Sequence, residues 1–177
     1  MEGHRIILND FLVHIKGENI TSILDAGSGR TSLSVIANSF SGTPIDAVVY
    51  PGDIGKINSI KEITDYNENI SVIEKDICGD TVIKAYDLIV AHLLLGEAAK
   101  FGNSFEDLLE KVTIMKYKYL IIIDYPEDPA VNENDIMKMC EKYDLTVVRK
   151  SLVTNQEPQV CENFTGAHNF GYLIKRL

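Results

Sequence analysis

Short runs of consecutive apolar residues constrain the fold of this sequence more than any other feature. The clearest run is Tyr119–Ile123 (YLIII), and four similar runs precede it: Ile23–Leu24, Ile45–Tyr50, Ile70–Glu74 and Leu88–Ala91. A strand that is apolar at nearly every position must be covered on both faces, and this is typical of parallel sheets. The runs therefore predict a parallel sheet between two layers of helices.

Segments with helical spacing separate these strands. Two of them repeat apolar residues at positions i, i+3, i+4 and i+7: Leu33, Ile36, Ala37 and Phe40 in one, and Ile136, Met139, Cys140 and Tyr143 in the other. Strands that alternate with helices form right-handed βαβ units. Leu145–Val153 and Phe170–Lys175 follow each other with no helical segment between them, which predicts an antiparallel hairpin at the sheet edge. We expect a doubly wound, mostly parallel α/β sheet of seven strands with helices on both faces.

Length and charge narrow the classes of protein further. The 177 residues suit one domain over 1–177, with a helical N-terminal segment over 1–19. Seventeen Lys and Arg against 26 Asp and Glu give a net charge of −9, which opposes binding to a nucleic-acid backbone. No apolar run approaches the ~20 residues of a membrane span, and the first residues, MEGHRIILND, do not form a signal peptide. We therefore expect a cytoplasmic protein with no membrane association.

The number and spacing of the cysteines indicate neither a metal site nor a disulfide. Cys78, Cys140 and Cys161 are odd in number, lie far apart and form no CxxC pair. We therefore interpret all three as free thiols and predict no metal site.

The stretch between the first strand and the first helix after it carries the strongest functional signal. The strand ends at Asp25, and Gly27 and Gly29 then allow a tight turn before a helix that begins near Ser32. A dinucleotide fingerprint needs a third glycine where Ser32 stands, and a pyrophosphate beside Asp25 would bring like charges together. A carboxylate in this place suits a cationic ligand better.

These residues resemble the first motif of the class I S-adenosylmethionine-dependent methyltransferases. That motif is an acidic residue, any residue, and then G-x-G-x-G, and the sequence DAGSGRT matches it except that threonine takes the place of the last glycine. The resemblance covers the chain from about residue 20 onward. It implies S-adenosyl-L-methionine as the cofactor and, for Asp25, a contact with the ammonium group of the methionine. It also implies cofactor contacts for Ala26, Gly27, Ser28, Gly29 and Thr31.

Later positions resemble further motifs of that family. Tyr50 stands where a ribose-binding carboxylate is usual, and Asp53 is the next carboxylate along the chain. After the third strand, Asp76 and Ile77 resemble the pair that contacts adenine. After the fourth strand, the resemblance implies that His92 and Leu93 lie beside the methyl group that is transferred.

His92 is the candidate catalytic residue, because an imidazole can remove a proton from an acceptor hydroxyl or amine. Methyl transfer depends chiefly on alignment, so His92 could instead only shape the pocket. We interpret His4 and His14 as solvated side chains on the predicted N-terminal helix, with no functional role. Residues 124–128 (DYPED) are interpreted as an ordinary exposed loop, and residues 155–170, which include His168, as a candidate lid.

The acceptor class is narrowed mainly by exclusion. No Asn/Asp-Pro-Pro-Tyr follows the fourth strand and no cysteine pair suits cytosine C5 chemistry, so methylation of DNA bases is disfavoured. The interpretation we favour is a methyltransferase for a small-molecule acceptor, and a homodimer through an edge strand or the N-terminal helix is left open. One alternative is a catalytically silent relative that serves as a binding module. Another is an RNA methyltransferase, which would need a basic rim.

Overall fold

The computed structural model describes residues 3–79, 84–100, 102, 104–125, 133–154 and 168–177. The helices of this part of the chain are α1 (Gly3–His14), α2 (Arg30–Ser39), α3 (Ile54–Thr64), α4 (Leu94–Lys100), α5 (Phe105–Ile114) and α6 (Glu133–Lys142). Its strands are β1 (Ile23–Asp25), β2 (Ile45–Val49), β3 (Ile70–Glu74), β4 (Tyr86–His92), β5 (Tyr117–Asp124), β6 (Thr146–Thr154) and β7 (His168–Lys175). None of the helices in these ranges has both the length and the apolar character that crossing a bilayer requires.

All of these strands join one sheet, in the order β3-β2-β1-β4-β5-β7-β6. Neighbours among β1 to β5 run parallel, whereas β7 runs antiparallel to both β5 and β6. The predicted mostly parallel sheet with an antiparallel C-terminal hairpin is confirmed. The strand order reverses between β1 and β4, and in open α/β sheets ligands bind at the carboxyl ends of the strands beside such a reversal.

The two faces of the sheet belong to two separate apolar layers. Alternate strand residues go to opposite faces, as Ile23 and Leu24 of β1 illustrate. The face that carries Ile23 packs against α1, α2 and α3, and the face that carries Leu24 packs against α4, α5 and α6. Both layers consist mainly of fully buried Ile, Leu and Val, which explains why the strand sequences are apolar without alternation.

Helix α1 lies very close to the sheet at Gly171 of β7. A Cβ atom added at Gly171 would lie 2.5 Å from Cγ2 of Ile7 and 2.9 Å from Cε2 of Phe11. Only glycine permits this approach without displacing the helix. The docking holds the first turn of α1, with His4, near the carboxyl end of β4.

Candidate functional site

The turn after β1 is fixed by backbone hydrogen bonds to the strands on either side. Ala26 N donates to Val90 O of β4 at 2.9 Å, and Ser28 N donates to Val48 O of β2 at 2.7 Å. The turn, residues 25–29, therefore lies across the carboxyl ends of three adjacent strands. Helix α2 follows at once with Gly29 as its N-cap, so it begins slightly before the predicted start near Ser32.

Asp25 is the buried polar centre of this turn. Its side chain is fully buried, and Oδ2 accepts hydrogen bonds from the hydroxyls of Ser28 at 2.7 Å and Ser32 at 2.8 Å. Oδ1 has no hydrogen-bond partner in the described structure. Burial raises the pKa of Asp25 to about 6, and the two hydroxyls and the charge of Lys56 offset that rise only in part. No cation among the described residues contacts Oδ1, so this oxygen could bind one.

The two serines are functional residues whose role the sequence reasoning missed. The sequence analysis predicts only a cofactor contact for Ser28, and for Ser32 only a helix start where a dinucleotide fingerprint needs glycine. In the structure both hold Asp25, and the hydroxyl of Ser32 also accepts a hydrogen bond from Gly29 N at 3.2 Å. Their separation by four residues across a helix start was the available signal, because one helical turn brings such side chains together.

The two glycines of the turn have different surroundings. A Cβ atom at Gly27 would lie 2.7 Å from Cδ1 of Leu94, so the start of α4 packs directly on the turn. Among the described residues, a Cβ atom at Gly29 would have only Lys56 Nζ within 4 Å, at 3.9 Å. Lys56 Nζ lies 3.6 Å from Glu97 Oε2, and this ion pair joins α3 to α4 beside the turn. Gly29 thus leaves room beside the backbone, and Gly27 allows close packing.

The residues after β2 form a turn and a helix start. Tyr50, which follows β2 directly, is 65% exposed. Gly52 has a φ of 76° and its N–H donates to Oε2 of Glu74 at 3.0 Å. Asp53 is the N-cap of α3, where Oδ1 accepts from Lys56 N at 2.8 Å. The local fold therefore gives Asp53 a capping role, and its contact with a ribose stays a prediction.

The predicted adenine pair lies at the end of β3. Oδ1 of Asp76 accepts from Cys78 N at 2.9 Å, which closes a short turn. Ile77 is buried and belongs to the same apolar layer as Ala26 and Val48. The topology therefore brings the pair to the same end of the sheet as the Asp25 turn, two strands away.

His92 and Leu93 lie at the carboxyl end of β4, next to β1. His92 is the last residue of the strand and is 7% exposed. Leu93 has a φ of 56°, a left-handed conformation that bulky residues rarely adopt, and its N–H donates to Ile123 O at 2.8 Å. Backbone strain of this kind collects at functional sites, so the conformation of Leu93 supports the end of β4 as a candidate site.

His4 contacts His92, and the interpretation of His4 as a solvated side chain is wrong. Nδ1 of His4 lies 2.9 Å from Nε2 of His92, and their ring centroids are 4.9 Å apart. His4 is buried because α1 docks tightly at Gly171, a contact between segments that are distant in sequence. His14 is exposed at the other end of the helix, as predicted.

The charge state of His92 follows from these surroundings. Burial, His4 and then Lys56 lower the pKa of His92 to about 3. The ring of His92 is therefore neutral near pH 7. In the contact between the two histidines, one ring nitrogen donates a hydrogen bond and the other accepts it.

Two more buried polar residues lie at this end of the sheet. Asp124, expected in an exposed loop, is 2% exposed, and Oδ2 accepts from Gly96 N of α4 at 3.0 Å. Asn169 of β7 is fully buried, and neither its Nδ2 nor its Oδ1 has a hydrogen-bond partner in the described structure. Residues 126–130, the candidate lid over 155–167 and the side chain of His168 lie outside the described residues. Across the described ranges no group of three or more His, Cys, Asp or Glu could hold a metal ion.

Comparison with known proteins supports the architecture through structure alone. No protein-family model matches the chain, and no curated protein sequence matches it. An S-adenosylmethionine-dependent methyltransferase from Clostridium acetobutylicum ATCC 824 matches with a TM-score of 0.67 at 12% identity, over 99% of this chain and 92% of that chain. N-methyltransferase NodS from Bradyrhizobium japonicum WM9, solved in complex with S-adenosyl-L-homocysteine, matches with a TM-score of 0.69 at 11% identity, over 99% of this chain and 88% of that chain.

A third structure agrees with these two. Magnesium protoporphyrin IX methyltransferase (ChlM) from Synechocystis PCC 6803, with bound S-adenosyl-L-homocysteine, matches with a TM-score of 0.69 at 11% identity, over 99% of this chain and 84% of that chain. Identities this low establish the fold and not the activity. The chain has the Rossmann-like fold of the class I S-adenosylmethionine-dependent methyltransferases.

Proposed function

We propose that this protein is an S-adenosylmethionine-dependent methyltransferase that acts on a small-molecule acceptor. The observation that carries the proposal is the carboxylate of Asp25, which is fully buried, ends β1 and has one oxygen without a partner in the described structure. A buried carboxylate is costly unless a cation or further donors satisfy it. The ammonium group of the cofactor's methionine would do so.

The residues present fit this cofactor. Gly27, Ser28 and Gly29 form the backbone turn beside Asp25, and Ala26 and Thr31 flank it at the strand end and the helix start. The open space beside Gly29 would admit the cofactor, whereas the buried carboxylate would repel the pyrophosphate of a dinucleotide. At the neighbouring strand ends, Asp76 and Ile77 would receive adenine, Tyr50 and Asp53 would lie nearest the ribose, and Leu93 would lie nearest the methyl group.

His92 would face the acceptor at the end of β4. When bound, the cofactor supplies an electrophilic methyl group on a sulfonium sulfur. A pKa near 3 makes His92 a weak proton acceptor at neutral pH, since general bases work best when their pKa lies near the working pH. We therefore assign His92 the task of orienting the acceptor by a hydrogen bond, and rate enhancement would come mainly from alignment.

The preference for a small acceptor rests on charge. The net charge of −9 opposes binding to nucleic acid, and the described basic residues form no run that would reverse it. A cytoplasmic location and a homodimer stay predictions. If the acceptor were RNA, the protein should shift RNA in an electrophoretic assay at low salt, and we expect no shift.

Titration calorimetry with S-adenosylhomocysteine tests the proposal. We expect saturable binding to the wild-type protein and at least about tenfold weaker binding to Asp25→Asn, because a hydrogen bond to a charged group contributes about 1.5–3 kcal/mol. Asp65→Asn, which makes the same chemical change at an exposed C-cap residue of α3, should bind as the wild type does. No heat at millimolar ligand, with the protein shown to be folded by circular dichroism, would overturn the proposal.

A second candidate function is a catalytically silent protein that keeps the fold as a binding module. The observation that favours it is Tyr50, an exposed aromatic side chain where the family has a carboxylate for the ribose. This candidate predicts no binding of S-adenosylmethionine or S-adenosylhomocysteine, together with a constant partner that co-purifies. Ordinary cofactor affinity in the calorimetry would exclude it.

A further inference from the structure

Buried polar groups from three elements converge on one face of the sheet, next to the Asp25 turn. Asp25 shares a face with Ile23, and His92 shares a face with Val90, because strand residues two apart point the same way. Both belong to the face that α1 and α2 cover. Since β1 and β4 are neighbours, His92 lies beside the turn that would hold the cofactor.

The register of the sheet extends this row to β7. His92 pairs with Ile123 of β5, and Ile123 pairs with Gly171 of β7. Gly171 faces α1, since Ile7 and Phe11 pack on it. Asn169 lies two residues before Gly171, so its side chain lies on the same face of the sheet, the face that α1 covers.

The amide of Asn169 is the unexplained group in this row. It is fully buried, and within the described residues both its oxygen and its nitrogen lack a hydrogen-bond partner. Nearly all buried amides in proteins are paired, so an unpaired one needs an explanation in function, in a bound molecule or in an ordered water. A ligand with a donor next to an acceptor would pair with both atoms of the amide.

The chemistry of the three side chains defines such a ligand. An asparagine amide offers a donor and an acceptor side by side, so it pairs with a neighbouring acceptor and donor on a ligand. His4 and His92 are in contact through one shared hydrogen, and each keeps a small exposed edge of 7%. Tyr125 packs edge-on to His4, with ring centroids 6.3 Å apart, and supplies an aromatic wall. An aromatic wall beside an amide favours a flat molecule that carries a donor next to an acceptor.

We infer that His4, His92 and Asn169 form the acceptor-binding site, and that the acceptor is a flat molecule with an N–H or O–H donor next to a carbonyl, such as a lactam or a carboxamide. The inference rests on the proposed function, because it takes the neighbouring turn as the cofactor site. Asn169 recognises the donor–acceptor pair of the ligand, and His92 binds the atom that receives the methyl group. His4 is a positioning residue that fixes the orientation and the tautomer of His92.

The direct test is a nuclear magnetic resonance titration with 2-pyridone, which carries an N–H beside a carbonyl. A control titration uses N-methyl-2-pyridone, which keeps the carbonyl but has no N–H donor. Signals of the Asn169 side-chain amide and of the His4 and His92 rings should shift saturably with millimolar 2-pyridone, and about tenfold more ligand should be needed with the control. Equal responses to both molecules, or none to either, would overturn the inference.

The titration is done with and without S-adenosylhomocysteine, so that two failures can be told apart. Binding of S-adenosylhomocysteine without any response to 2-pyridone would leave the proposed function standing and remove the acceptor site. A response to 2-pyridone without binding of S-adenosylhomocysteine would keep the ligand site and remove the methyltransferase.

Asn169→Leu separates a binding role from a structural one. Removing an unsatisfied buried amide should raise the urea midpoint of the ligand-free protein while it abolishes the response to 2-pyridone. Tyr172→Phe is the matched control, because it removes another buried unpaired polar group, on the opposite face of the same strand, and should keep the response. A lower midpoint for Asn169→Leu would show that the amide is structural and would overturn the inference.

Two substitutions at His4 test its positioning role. The side-chain amide of His4→Asn can take the place of Nδ1 and keep the contact with His92, whereas His4→Leu cannot. We expect the ring nitrogen shifts of His92 and the affinity for 2-pyridone to be kept in His4→Asn and lost in His4→Leu. Identical His92 spectra in both variants would remove His4 from the site.

Discussion

The Asp25 turn and the His4–His92–Asn169 cluster lie at the same end of the sheet but are assembled in opposite ways. In the turn, Asp25 bonds to hydroxyls three and seven residues further along the chain. In the cluster, the two histidines that touch are 88 residues apart. The side-chain bonds of the turn are therefore local in sequence, whereas the cluster depends on the docking of α1 against the far half of the sheet.

The electrostatics of the two regions also differ. The turn holds a carboxylate with one oxygen that lacks a partner in the described structure, and it suits a cation. The cluster holds the ring of His92, which is neutral near pH 7, beside His4 and a buried amide, and it suits a ligand with a donor next to an acceptor. The cationic methyl donor and its acceptor could thus occupy adjacent sites without competing for them.

Gly171→Ala should have the largest effect of these substitutions, and it should disturb the cluster but not the turn. The new Cβ atom would meet Ile7 at 2.5 Å, Phe11 at 2.9 Å and Ile123 at 3.2 Å, so α1 must shift. Overpacking of this kind destabilises by about 1–3 kcal/mol, which urea unfolding measures. The contact between His4 and His92 should be lost from the histidine spectra, while the affinity for S-adenosylhomocysteine should be largely kept.

Gly55→Ala is the control for that substitution. Its added Cβ atom would lie 3.5 Å from Oδ1 of Asp53, an ordinary contact, and alanine favours the helix α3 in which it lies. We expect unchanged or slightly higher stability. Equal destabilisation by both substitutions would contradict the account of how α1 docks.

Asp25→Asn and His92→Gln should change the pH dependence of stability in opposite directions. The pKa of Asp25 is raised to about 6, so its contribution to the free energy of unfolding grows as the pH falls from about 7 to about 5. The pKa of His92 is lowered to about 3, so its contribution shrinks over the same range. The two contributions oppose each other in the wild type. Removing either one should therefore change the free energy of unfolding at pH 5, relative to pH 7, by about 1–2 kcal/mol.

Urea unfolding at several pH values checks this. Asp25→Asn should lose stability on acidification more steeply than the wild type, and His92→Gln less steeply. The exposed His14→Gln serves as the control and should keep the wild-type slope. If both site variants also keep that slope, the charge states assigned to the two regions are wrong.

Lys56→Gln should have the smallest effect on stability, although its charge reaches both Asp25 and His92. Its ion pair with Glu97 is partly exposed, so stability should change by less than about 1 kcal/mol. The loss of a cation near Gly29 should raise the affinity for S-adenosylmethionine, which has a sulfonium charge, relative to S-adenosylhomocysteine, by less than about tenfold. Calorimetry with both ligands measures the ratio, and Lys138→Gln on α6 should leave it unchanged.

Most of the sheet could be predicted from the sequence, because strands that are buried on both faces are runs of consecutive apolar residues. Ile70–Glu74 is β3 with the predicted bounds, and β5 differs from the predicted Tyr119–Ile123 only by extra residues at its ends. Helix α2 begins earlier than expected because Gly29 and Ser32 cap it through a contact that spacing alone did not reveal. The sequence pattern of apolar residues thus predicted which helices and strands form, whereas the first residue of α2 depends on its cap.

The Asp25 turn is what the sequence by itself determined, because its carboxylate, glycines and serines lie within one strand end and one helical turn. Only the tertiary structure decided the partners of His92. His4 and Asn169 carry no local signal, and they reach His92 because Gly171 lets α1 press against β7 and because β7 pairs with β5 in one particular register. A contact set by the packing of segments far apart along the chain has no counterpart in local spacing.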